Sequence, residues 1–126
     1  MRAVDTNVLL RVIARDDEKQ AIAADAFIAK GAWISHVVLV ETIWVLSRVY
    51  ELGTANIAKV VEMLLHHESL SVQDSSVVAA ALERYRERPA LGFSDCLILE
   101  IARKSGHLPL GTFDRAFSKQ VGAERP

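Results

Sequence analysis

The chain has 126 residues, 51% of them hydrophobic and 25% charged, with a formal net charge of -1. That balance belongs to a folded globular domain and excludes both a disordered tail and a global positive field that gathers nucleic acid indiscriminately. A single cysteine, Cys96, excludes an internal disulfide, and apolar runs of only a few residues exclude a helical membrane span.

The length fits one domain over 1–126 with a core of its own. Met1 leads straight into a candidate strand, which leaves no place for a signal peptide, so the expectation is a cytoplasmic protein without membrane contact. In chain order, Arg2 to Asp5 reads as a strand and Thr6 to about Ala14 as a helix with Thr6 as its N-cap. Asp17 to Lys30 is a second helix closed by Gly31. Ala32 to Ser35 is a strand, and Val37 to Glu51 a helix closed near Gly53. Thr54 caps a helix whose residues Ile57, Val60, Val61, Leu64 and Leu65 recur at amphipathic spacing. Ser69 to Val72 is a strand. Asp74 caps a helix running to Arg88, stopped by Pro89. Phe93 to Ser105 is a strongly apolar helix closed by Gly106. Leu108 to Thr112 is a strand, Asp114 opens a short helix, and Val121 to Glu124 is a candidate last strand. Strands alternating with helices predict the α/β class, a mostly parallel sheet of four to five strands covered on both faces.

Among the 16 Asp and Glu residues, local surroundings select a few. A helical acid with charged neighbours three and four positions away is a solvated surface residue. One with apolar neighbours is drawn inward, at a cost that something must offset. Glu41, beside Val37, Val38, Trp44 and Val45, meets that test; its ordinary alternative is a pairing with an arginine. Asp95, beside Phe93, Ile98 and Leu99, meets it as well; its ordinary alternative is an N-cap. Asp5 ends the first strand, where open α/β sheets place ligands. Asp114 follows a late strand and is equally suited to capping. Asp25 passes the same test, among Ala21, Ile22, Ile28 and Ala29, without a role that its position explains. Glu100 fails it, because Arg103 and Lys104 share its face and an ordinary ion pair accounts for it.

Gathered carboxylates repel one another, by roughly 4 kcal/mol for two unit charges at about 4 Å and an effective dielectric near 20, and therefore need a cation. An all-oxygen donor set suits Mg2+ or Mn2+. His36, His66, His67 and His107 lack paired zinc-ligand spacing. One or two hard ions at such a site can activate water against a phosphodiester. Arg11, Arg15 and Arg115 follow candidate acids and are candidate RNA contacts, with solvated surface arginines as the ordinary alternative.

The opening R-A-V-D-T-N-V-L-L-R, the S-H-V-V-L-V-E stretch, the G-F-S-D-C-L-I-L segment and the late L-G-T-F-D occur in an order and spacing that resembles PIN-domain ribonucleases, in particular the VapC toxins of bacterial toxin–antitoxin pairs. The resemblance runs from Met1 to about Gly122. It implies a three-layer α/β/α sandwich and a metal-dependent endoribonuclease acting as a toxin. Asp5, Glu41, Asp95 and Asp114 would be the catalytic acids, with Asp5, Asp95 and Asp114 holding Mg2+ or Mn2+ and Glu41 binding or activating water. Thr6, Asn7, Ser94 and Thr112 match positions that orient those acids or the phosphate. A VapB-type antitoxin and a homodimer are the implied partners. The polar ending from Val121 to Pro126 departs from the usual apolar edge strand and puts a fifth strand in question. Two alternatives are a PIN-like module that binds RNA or protein without catalysis, and a receiver-like phospho-acceptor domain. The receiver would want paired acids after its first strand and a late lysine at a strand end, where this chain has Asp5 alone and Thr112. A serine hydrolase lacks its G-x-S-x-G elbow, and Cys96 sits in an apolar helix, where a small buried hydrophobe is the default.

Overall fold

The computed structural model describes residues 1–126 and divides them into two compact units, Met1–Ser75 and Ser76–Pro126. In the first, β1 (Arg2–Ala3), α1 (Thr6–Ala14), α2 (Glu18–Ile28), β2 (Ala32–Ile34), α3 (His36–Arg48), α4 (Thr54–His66) and β3 (Leu70–Val72) follow in order. The strands pair in the order β1-β2-β3, all parallel, with Arg2 opposite Ala32 and Ile34 opposite Val72. Parallel neighbours need a crossover, and the helix pairs α1–α2 and α3–α4 provide it. Leu9, Ile34, Leu39, Val61 and Leu64 are fully buried.

The second unit begins within α5 (Ser75–Glu87), whose first residue closes the first unit, and holds a 3-10 turn at Pro89–Leu91, α6 (Phe93–Lys104), β4 (Leu110–Gly111), α7 (Arg115–Ser118) and β5 (Ala123–Glu124). Its strands β4 and β5 also pair in parallel. Val78, Ala81, Cys96, Leu97 and Leu99 are buried. Tyr85 and Phe93 meet edge to face, centroids 6.0 Å apart at 87°, the arrangement that ring quadrupoles favour.

Every pairing is parallel, as the α/β expectation requires, in one ladder of three strands and one of two. The questioned fifth strand forms: Leu110 N–H donates to Gly122 O at 2.8 Å and Thr112 N–H to Glu124 O at 3.0 Å. An Arg103 guanidinium nitrogen donates to Val121 O at 2.8 Å and holds the approach to that strand. The strand expected from Leu108 begins at Leu110, beyond Pro109, which has no N–H for a ladder.

Several helix starts differ from expectation by one residue. Asp5, not Thr6, caps α1, its carboxylate accepting from Val8 N–H at 3.1 Å. Gly53, not Thr54, occupies the cap of α4. Ser35 caps α3, so that helix starts at His36 and stops at Arg48, short of the expected Glu51. In each case the capping residue is the last one with extended backbone, and the next residue is already helical.

Candidate functional site

Asp5 lies one residue past the core residue Val4, whose N–H donates to Trp33 O at 3.1 Å. The strand thus delivers Asp5 to the start of α1. There one carboxylate oxygen serves Val8 N–H and the other has no bonded partner. The first-turn N–H groups of a helix favour a negative charge at this point. Thr6 is buried and begins α1, while Asn7 is exposed. Asp5 and Asn7 share the mouth of a groove that continues along α1 and α2.

Glu41 projects from the middle of α3, and that helix is anchored firmly. Gln73, just after β3, accepts from His36 N–H through its side chain at 2.9 Å and meets His36 Nε2 through its carbonyl at 2.7 Å. The same residue donates its N–H to Ile34 O at 2.8 Å. Glu41 is exposed, not drawn inward as its neighbours suggested. Val37 and Trp44, 74% and 58% exposed, sit on its side of the helix, so these apolar neighbours mark an open surface rather than the core. No arginine pairs with Glu41.

In the second unit Asp95 lies in the first turn of α6, and it is not the N-cap considered for it. Gly92 holds that place with φ 84° and ψ 143°, a backbone shape strained for any residue with a Cβ. Gly92 therefore sets the turn that presents Asp95. Burial lifts the Asp95 carboxyl above its ordinary value, and the Asp114 carboxylate lifts it further. The two acids thus feel each other's charge. Asp114 is an N-cap, accepting from Phe117 N–H at 2.8 Å, and its own N–H donates to Thr112 Oγ1 at 3.1 Å. Thr112 therefore fixes the backbone of Asp114. Ser94 is exposed and makes no side-chain hydrogen bond.

Each unit holds two of the four acids, and in each pair one caps a helix and one does not. Within neither unit do three or more metal-ligating side chains gather. None of the four acids has an ion-pair partner. Their all-oxygen donors, and the mutual repulsion of Asp95 and Asp114, fit a hard divalent cation.

The two other acids weighed from the sequence, Asp25 and Glu100, are both paired. Arg15 grips Asp25 with both guanidinium branches, at 3.0 and 2.7 Å, which holds the Asp25 carboxyl below its ordinary range. Asp25 is therefore an ion-pair partner, and Arg15 is engaged with it rather than free for RNA. Arg11 is likewise engaged with Asp16, which also accepts from the Tyr50 hydroxyl at 2.9 Å. Only Arg115 of the three candidate RNA contacts stands exposed without an ion pair. Glu100 meets Arg84 at 3.1 Å and Arg103 at 3.4 Å, as the ion-pair expectation held, yet is 8% exposed where a surface residue was expected. Cys96 is fully buried and burial pushes its thiol up to about 11, which makes it a core residue and not a nucleophile.

Two exposed aromatics adjoin the acids, Trp44 one helical turn past Glu41 and Phe113 directly before Asp114, the latter 74% exposed. Gln20 and Phe27, on α2, join Asp5 in its groove. None of these was singled out from the sequence as a binding residue, because single apolar or amide residues carry no spacing signature.

The chain matches the family model of the PIN domain over residues 2–122, a span that runs through both units and all four acids. No curated protein matches it.

Proposed function

The chain belongs to the PIN domain family, and from that premise we propose that it is a divalent-metal-dependent endoribonuclease, the toxin of a toxin–antitoxin pair. The observation that carries this reading is the family match over residues 2–122, joined to four acids that the protein's own cations leave unpaired. Asp5, Asp95 and Asp114 would hold Mg2+ or Mn2+, and Glu41 would bind or activate water. When bound, such an ion neutralises charge on a scissile phosphate and makes a coordinated water more acidic.

The remaining steps belong to the chain's own residues. Asp5 keeps one oxygen on Val8 N–H, which fixes the carboxylate's orientation while its second oxygen has no bonded partner. Thr112 holds the backbone of Asp114, and the Gly92 turn holds Asp95. Asp95 must be ionised to serve as a ligand, and its raised pKa means that protons compete there more strongly than at an ordinary aspartate. Arg115 supplies a cation beside Asp114 for a substrate phosphate. A VapB-type antitoxin would restrain the enzyme, and a homodimer is the expected assembly. No helix is long and apolar enough to cross a membrane.

The test is cleavage of single-stranded RNA by purified protein with Mn2+ or Mg2+, with a chelator as control. Folded Asp5→Asn and Asp95→Asn variants are expected to lose at least about 100-fold in rate, the effect of disabling a metal ligand. Undiminished cutting by both would end the proposal. Harmless expression of the active enzyme without a partner would remove the toxin role alone.

A further inference from the structure

The groove that starts at Asp5 and Asn7 has a volume of about 420 Å³ and continues past Arg11, Gln20 and Phe27. That is within the range of pockets that enclose a small organic group. Its aromatic wall is held in place from outside. The Arg2 guanidinium lies 3.8 Å from the Phe27 ring centroid, and Arg2 donates to the Phe27 carbonyl at 3.0 Å. Asn7 and Gln20 are exposed and offer amide donors and acceptors.

We propose that this groove is a subsite for one unstacked nucleobase of a single-stranded RNA, beside the phosphate addressed by Asp5; the inference rests on the nuclease reading above. A base has two apolar faces and a polar edge. The groove offers the same pairing, an aromatic ring and small aliphatic groups for the faces and two amides for the edge. Sequence-selective proteins read single-stranded RNA through such stacking and edge contacts. An apolar side chain of a protein partner would suit Phe27 and Ala23 but would leave the amides of Asn7 and Gln20 unaddressed.

The subsite is tested in EDTA, with the four ribonucleosides as probes and the side-chain amide signals of Asn7 and Gln20 followed by NMR. At least one nucleoside is expected to shift both amides, with about a fivefold spread in affinity across the four bases. Ala23→Leu fills the groove from an exposed helical position that tolerates leucine. It is expected to weaken binding at least about fivefold. Gln20→Ala is expected to narrow the spread. The inference is overturned if no nucleoside shifts the amides, if the shifts survive Ala23→Leu, or if a short apolar peptide produces them and nucleosides do not. Nucleoside binding here by a protein that cuts no RNA with Mn2+ would refute the nuclease and keep the base site; cutting with an unresponsive groove would do the reverse.

Discussion

In Met1–Ser75 the arginines meet acids at the surface, Arg15 on Asp25 with side chains 49% and 45% exposed. In Ser76–Pro126 the equivalent pairing is drawn inward, with Arg84 and Arg103 closing on a Glu100 side chain that is only 10% exposed. The two regions share one outcome. Each commits arginines to acids other than the candidate ligands, so Asp5 and Glu41 in the first, and Asp95 and Asp114 in the second, keep charge that no side chain neutralises. They differ in what the pairing costs to break. A water-exposed pair is screened and contributes little, whereas a charge left alone in the interior is penalised heavily.

Substitution sharpens that contrast. Glu100→Gln keeps the shape and removes the charge that two partly buried arginines depend on. It is expected to cost about 2 kcal/mol, less than a fully enclosed pair because both arginines retain some solvent. Asp25→Asn removes an equally well-formed pair and is expected to cost under about 1 kcal/mol. Urea denaturation of the two variants measures the difference. Equal costs would show that burial is not what separates the regions.

Gly92→Ala probes the turn that presents Asp95. Its positive φ makes a cost of about 1–3 kcal/mol the expectation, whereas no atom lies within 4 Å of an added Cβ, so the loss is backbone strain and not a clash. A larger loss of activity than of stability would tie the turn to the position of Asp95.

The smallest effect concerns pH. A folded carboxyl that titrates above its unfolded value contributes stability that is complete below the unfolded value and is lost as pH rises through the folded one. Asp95 is such a group. Metal-free Asp95→Asn should therefore melt slightly higher than the wild type at neutral pH, with the difference fading as pH falls toward the ordinary aspartate value near 4. A variant that melts lower at neutral pH would contradict the cost of burying the Asp95 charge and placing it near Asp114.

Periodicity and end signals located all the helices and strands, since amphipathic spacing, glycine stops and Pro89 are local properties. The one-residue errors at Thr6 and Thr54 arose because two adjacent residues could each end a helix, and only backbone dihedrals decide between them. Position relative to strand ends placed Asp5 and Asp114 just before a helix, and each caps one, α1 and α7. The neighbour test misjudged Glu41, whose apolar companions Val37 and Trp44 face outward. It also admitted Asp25, because Arg15 lies ten positions away and outside any helical window. A tertiary ion pair leaves no local trace, and neither does a groove formed by two helices.

The central proposal is that Asp5 and Asp95 are each ligands of a divalent ion. Mn2+ titration by calorimetry of the wild type, Asp5→Asn and Asp95→Asn tests it most directly. The account predicts saturable Mn2+ binding that each substitution weakens at least about 10-fold. Wild-type affinity retained by either variant would contradict it.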